Sequence, residues 1–107
     1  MNSMRIITHY ELLSDLTEQM REAAARGEWD RLVSIEQQRD RQLAVVKVAD
    51  ATATFDEPSR QRKMQLIKKV LADDDKIRHH TEAWIGQLQC FMQSNRQEQR
   101  LQQAYSN

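Results

Sequence analysis

The chain has 107 residues, 39% of them hydrophobic, enough for one domain with a modest core. Sixteen basic and sixteen acidic side chains cancel, so neither the basic excess nor the basic face of a nucleic-acid binder is expected. No apolar run approaches the roughly 20 residues of a membrane span, and the single cysteine, Cys90, excludes an internal disulfide.

Two glycines and one proline leave little material for turns, so the expected class is all-α. Residues 1–9 lack the apolar core of a signal peptide. A cytoplasmic protein without membrane insertion is the expectation.

The first helix is predicted over residues 6–26. Ile6, Tyr10, Leu13, Leu16, Met20 and Ala23 form one apolar stripe at helical spacing. Gly27 follows, and a glycine there can enter the left-handed region that ends many helices. Glu28 and Asp30 then place negative charge in the first turn of the next helix, where the helix dipole favours it. The segment therefore reads as a tight corner between antiparallel helices, plugged by Trp29. The second helix is predicted over residues 28–49, with Trp29, Leu32, Val33, Leu43 and Val46 inward and the polar run 36–41 either in solvent or forming a charged rim beside a partner groove. Residues 49–57 read as a loop or frayed end, with Phe55 packed on that end of the bundle.

Pro58 can open a third and longest helix, because the first-turn N–H it lacks has no intrahelical partner. Val70, Asp74, Ile77, Thr81, Trp84, Leu88 and Phe91 alternate at spacings of four and three, a heptad-like seam led in by Met64 and Ile67. Asp74 and Thr81 make the seam too polar for a committed coiled coil, so packing within the same chain is expected. A helix over 58–93 would span roughly 54 Å, against roughly 30 Å for either predecessor. Run antiparallel to the second helix, it overshoots the Gly27 corner and leaves Leu88, Phe91 and Met92 without cover. Ser94 and Asn95 can break and recap the chain. A short fourth helix, with Leu101, Ala104 and Tyr105 on one face, would then be mobile or dock on the overhang. The expected architecture is an antiparallel bundle of three main helices over residues 1–94 and a short mobile fourth helix or tail over 95–107.

Little here suggests catalysis. Asp75 and His79 stand four apart on a helix, but adjacent histidines such as His79 and His80 point about 100° apart, and no further cluster completes a ligand set. Cys90 reads as a buried thiol rather than a nucleophile. Phosphate-binding glycine loops, serine elbows and dinucleotide fingerprints are missing. No enzyme, metal or cofactor is expected.

The corner Arg26-Gly27-Glu28-Trp29-Asp30, with Leu32 after it and Glu36 in mid-helix, resembles the flagellar chaperone family FliT. The likeness continues at Ile67 and Lys68 and reaches the tail at Leu101, Ala104 and Tyr105. The resemblance implies a small cytoplasmic chaperone of flagellar type III export. It would bind the C-terminal part of the filament-cap protein FliD and prevent its premature assembly. It would also contact the export ATPase complex and the export gate protein FlhA, and in some hosts antagonise the master activator FlhDC by protein contact. Members of the family continue past the matching tyrosine, so regulation by a longer tail is not carried over.

The partner-binding residues expected are Leu88, Phe91 and Met92 for the client, with Leu101, Ala104 and Tyr105 in the tail. Tyr105 matches the tyrosine through which the resembled chaperones contact the gate. Gly27, Trp29, Leu32 and Trp84 are expected to be structural, at the corner. The chain would be a monomer or weak homodimer. The rival reading is a structural coiled-coil subunit that dimerises through the third helix.

Overall fold

A computed structural model of the chain describes residues 3–105, without the side chains of residues 3, 104 and 105. It contains three helices: α1 (Ser3–Arg26), α2 (Trp29–Thr52) and α3 (Glu57–Tyr105). The molecule is a rod of 76 × 20 × 19 Å, because the 49 residues of α3 alone span roughly 74 Å.

The corner after α1 follows from Gly27, whose φ of 69° carries no Cβ penalty. Its N–H donates to the Ala24 carbonyl at 3.2 Å, and the Glu28 N–H donates to the Ala23 carbonyl at 2.9 Å. This pair of bonds is a Schellman cap, which satisfies carbonyls that the helix end would otherwise leave open. Asp30 lies in the first turn of α2. The second connection is Ala53 to Asp56, after which the Asp56 carboxylate accepts from the Ser59 N–H at 2.9 Å and caps α3. The Ser59 hydroxyl, and after it that backbone bond, hold the Asp56 carboxyl below the usual carboxylate range.

α1 is the middle layer. It packs against both α2 and α3, whereas α2 and α3 meet only through side chains among the described residues. Its composition explains the position. Ile6, Tyr10, Leu13, Ser14, Leu16, Thr17, Met20, Ala23 and Ala24 are all buried and occupy roughly half of the helix circumference, enough for two neighbours. The core falls into two clusters. Near the start of α1, Ile6, Tyr10 and Leu13 meet Val46, Ala49 and Leu66. Near the corner, Leu16, Met20, Ala23 and Ala24 meet Leu32 and Ile35.

A polar layer crosses the bundle between these clusters. Asp73 is buried on α3, with Arg21 Nε 3.1 Å away on α1 and Lys69 Nζ at 3.7 Å. Arg39 of α2 donates to Asp74 of α3, and Gln42 donates to the His9 carbonyl at 3.0 Å. At the loop end, Lys63 Nζ donates to Asp50 at 2.8 Å and lies 4.6 Å from the centroid of the Phe55 ring. The Tyr10 hydroxyl donates to the same Asp50 oxygen at 3.0 Å. Lys63 holds the Asp50 carboxyl below the usual range. Burial, reinforced by Asp50, pushes the Tyr10 phenol from 10.0 up to about 12.

Several sequence expectations need correction. No separate fourth helix occurs among the described residues: α3 runs through Ser94 and Asn95 to Tyr105. Ser and Asn cost only a few tenths of a kcal/mol each in a helix interior, and the flanking Gln, Arg, Glu and Leu favour continuation. Val33 and Leu43 are not core but 53% and 37% exposed; Ile35 and Ala49 fill the α2 core face instead. On α3 the inward position is Leu66, while Met64 is exposed. Cys90 is exposed rather than buried, because the bundle ends before it.

Candidate binding surface

The uncovered surface begins where α1 turns. Leu66, Val70, Asp73 and Ile77 run along the inner side of α3 at spacings of four and three, and Trp84, Leu88 and Phe91 continue the same line. Up to Ile77 this stripe is buried or half-buried. From Glu82 to Gln103, the last residue whose side chain is described, every residue is exposed. One helical face therefore serves as core in its first half and as surface in its second.

The exposed half holds a compact apolar group. Trp84 is 43% exposed, Leu88 44% and Phe91 62%, with Ile85 and Met92 beside them. At about 100° per residue these five fall within an arc of roughly 120°. An apolar strip of this kind on one side of a free helix is the pattern of an interaction surface rather than of scattered surface hydrophobes. Residues 83–95 also carry no Asp, Glu, Lys or Arg, in a chain that is 30% charged. Loss of charge together with aromatic residues and methionine is the composition of interface centres.

The corner supports the root of this strip. The Trp29 and Trp84 rings stand 5.6 Å apart between centroids, tilted by 33°, a favourable separation for an aromatic pair. Leu32 is buried in the corner cluster. The expected association of Gly27, Trp29, Leu32 and Trp84 is thus present. Trp29 Nε1 is buried without an acceptor. Beside the pair, Ala25, Gly27, His80 and Gln87 line a pocket of about 260 Å³.

Leu101 does not share the strip of Leu88. On one continuous helix the two stand roughly 140° apart, although Leu101 is also exposed. The side chains of Ala104 and Tyr105 lie outside the described residues.

A second apolar surface was not anticipated from the sequence. Where α2 and α3 diverge, Tyr10 and Leu13 floor a groove of about 480 Å³ walled by Leu43, Val46, Ile67 and Val70. Its signal in the sequence is faint, since these residues read there as ordinary core. The carboxylate of Asp75 is engaged by Arg78, and His79 Nδ1 lies 2.8 Å from the Asp75 carbonyl. Among the described residues no three potential metal ligands converge, and no helix is long and apolar enough to cross a membrane.

Fold and surface together define a class: small antiparallel helical bundles that carry an uncovered apolar helix face. The family model of the flagellar protein FliT matches residues 7–107, and the chain belongs to that family. Membership supports the general role of a flagellar export chaperone. No curated protein and no solved structure matches the chain.

Proposed function

We propose that this protein is a cytoplasmic export chaperone that binds the C-terminal part of the filament-cap protein FliD through the free half of α3. The observation that carries the reading is the continuation of the α3 core stripe beyond the bundle as an exposed apolar, uncharged strip at Trp84, Leu88, Phe91 and Met92. A client helix laid on that strip would be held apart from its assembly partners, in the helix-in-groove mode of recognition. Leu101, Ala104 and Tyr105 are proposed to contact the export gate protein FlhA, with Tyr105 as the anchor. The export ATPase complex and, in hosts that have it, the activator FlhDC are proposed as further protein partners, the latter antagonised without contact to DNA.

Titration of the FliD C-terminal segment into the purified protein tests the reading. Tight binding by wild type and its loss in Phe91→Ala are expected; equal affinities would place the client elsewhere. The rival reading, a coiled-coil subunit, rests on the same exposed strip, which could accept a second copy. Sedimentation of the client-free protein separates the two: a stable dimer that excludes the client favours the rival.

A further inference from the structure

We infer that the client-free protein pairs weakly with a second copy of itself, α3 against α3 and antiparallel, so that the free half of each α3 lies in the groove between α2 and α3 of the other. The inference goes beyond the chaperone reading and does not depend on it.

A second apolar line along α3 carries it, roughly a quarter turn round from the face that α1 covers. Met64, Ile67 and Leu71 begin the line, and Ile85, Leu88 and Met92 end it. With Asp74, Arg78 and Thr81 between them, the spacings alternate strictly between three and four, the heptad pattern of paired helices. Ile67 is half-buried and the other five apolar residues are exposed. The line is roughly 42 Å long. Its first part walls the groove floored by Tyr10 and Leu13, and its last part lies on the free half of the helix.

The order of residues along the line selects a second copy as the occupant. Polar positions gather near the middle and apolar ones toward both ends. With a two-fold axis between residues 79 and 80, Ile67 faces the partner's Met92 and Leu71 faces the partner's Leu88. Each free half then fills the other copy's groove, as the fourth helix of a bundle whose floor is α1. The charges of the middle are already met within each chain. Asp74 accepts from Arg39 of α2, and Arg78 lies between Asp75 and Glu82. Covering them therefore strands no ion. A parallel pair would instead set Asp74 on Asp74 and Arg78 on Arg78, like on like, and would crowd both bundles at one end. A strip of this length and roughly 10 Å wide on each copy hides on the order of 1,000 Å² in all, the size of a weak, transient interface. Leu88 and Met92 also belong to the proposed client strip, so client and second copy compete for them.

The experiment combines sedimentation of the client-free protein over a concentration series with disulfide trapping. Wild type should dimerise with a Kd of about 10–100 μM, as an interface of this size does. Leu71→Glu buries a charge in the pair but leaves it in solvent in the single chain, so it should weaken dimerisation by about tenfold or more. Circular dichroism and a thermal melt check that this variant is folded. Trapping uses a Cys90→Ser background. Leu71 and Leu88 lie roughly 26 Å apart along one helix, so cysteines at the two positions meet only across an antiparallel pair. Leu71→Cys combined with Leu88→Cys should link two copies under mild oxidation, and Leu71→Cys alone should not. A protein that stays monomeric throughout the series, or a dimer indifferent to Leu71→Glu, would overturn the inference. Linkage of Leu71→Cys alone would also overturn it, since the helices would then run parallel.

Discussion

Replacing Trp29 by alanine separates the structural corner from the client surface. The indole packs on the cluster of Leu16, Met20, Ala23, Ala24, Leu32 and Ile35 and stacks at 5.6 Å on Trp84. Truncation of a buried tryptophan costs about 3–5 kcal/mol, and the half-buried position of Trp29 sets the value near the lower end. Removing its unpaired buried Nε1 returns about 1 kcal/mol, the small end of the penalty for such a group. The net loss expected is about 2 kcal/mol, a large share of the about 5–15 kcal/mol that holds a domain together. Trp29→Phe keeps a ring and discards the unpaired donor, so it should lose less than about 1 kcal/mol. The assay is urea denaturation followed by far-UV circular dichroism, with Trp84→Ala and the double variant completing a cycle. Coupling of about 0.5–1.5 kcal/mol between the rings is expected. Wild-type stability in Trp29→Ala, or zero coupling, would refute the stacked corner. A fully folded Trp29→Ala that has lost only its client would turn Trp29 into a contact residue.

Gly27→Ala should cost about 1–2 kcal/mol in the same assay, because a φ of 69° is strained for any residue with a Cβ; the added Cβ would meet Trp29 Nε1 at 3.9 Å, an ordinary contact, so the loss measures mainly the backbone. Asp73→Ala should cost about 2 kcal/mol by leaving Arg21 and Lys69 without their shared carboxylate, again read from the urea midpoint. The Tyr10 phenol has its pKa raised on folding from 10.0 to about 12, so its contribution is complete below pH 10 and is lost as pH rises towards 12. Urea midpoints across that interval should therefore fall less steeply in Tyr10→Phe than in wild type. Tyr105→Ala should weaken binding of the client-loaded protein to the cytoplasmic domain of FlhA by about thirtyfold, some 2 kcal/mol, while client affinity stays the same; equal gate affinities would show that Tyr105 is not the anchor.

What the sequence determined by itself was local. The apolar stripe of α1, the glycine corner and the unusual length of the third helix are properties of short windows, written in 3.6-residue spacing and in the conformational freedom of one glycine. The family followed from the same corner, and the matched region confirms it. Even the overhang was a matter of comparing lengths at a fixed rise per residue. What the tertiary structure decided was which neighbour covers each face. An apolar arc says that a side seeks cover but not from whom, so Val33 and Leu43 read as core, whereas among the described residues α2 has only α1 beside its backbone. Asp73 could not be read as buried, since only its meeting with Arg21 and Lys69 across α1 and α3 makes burial tolerable. Ser94 and Asn95 are weak formers on their own terms, and without proline or glycine beside them the helix continues. That continuation put Leu88 and Leu101 on different sides of one rod. The groove between α2 and α3 exists only because α1 stands between them, a choice no single helix records.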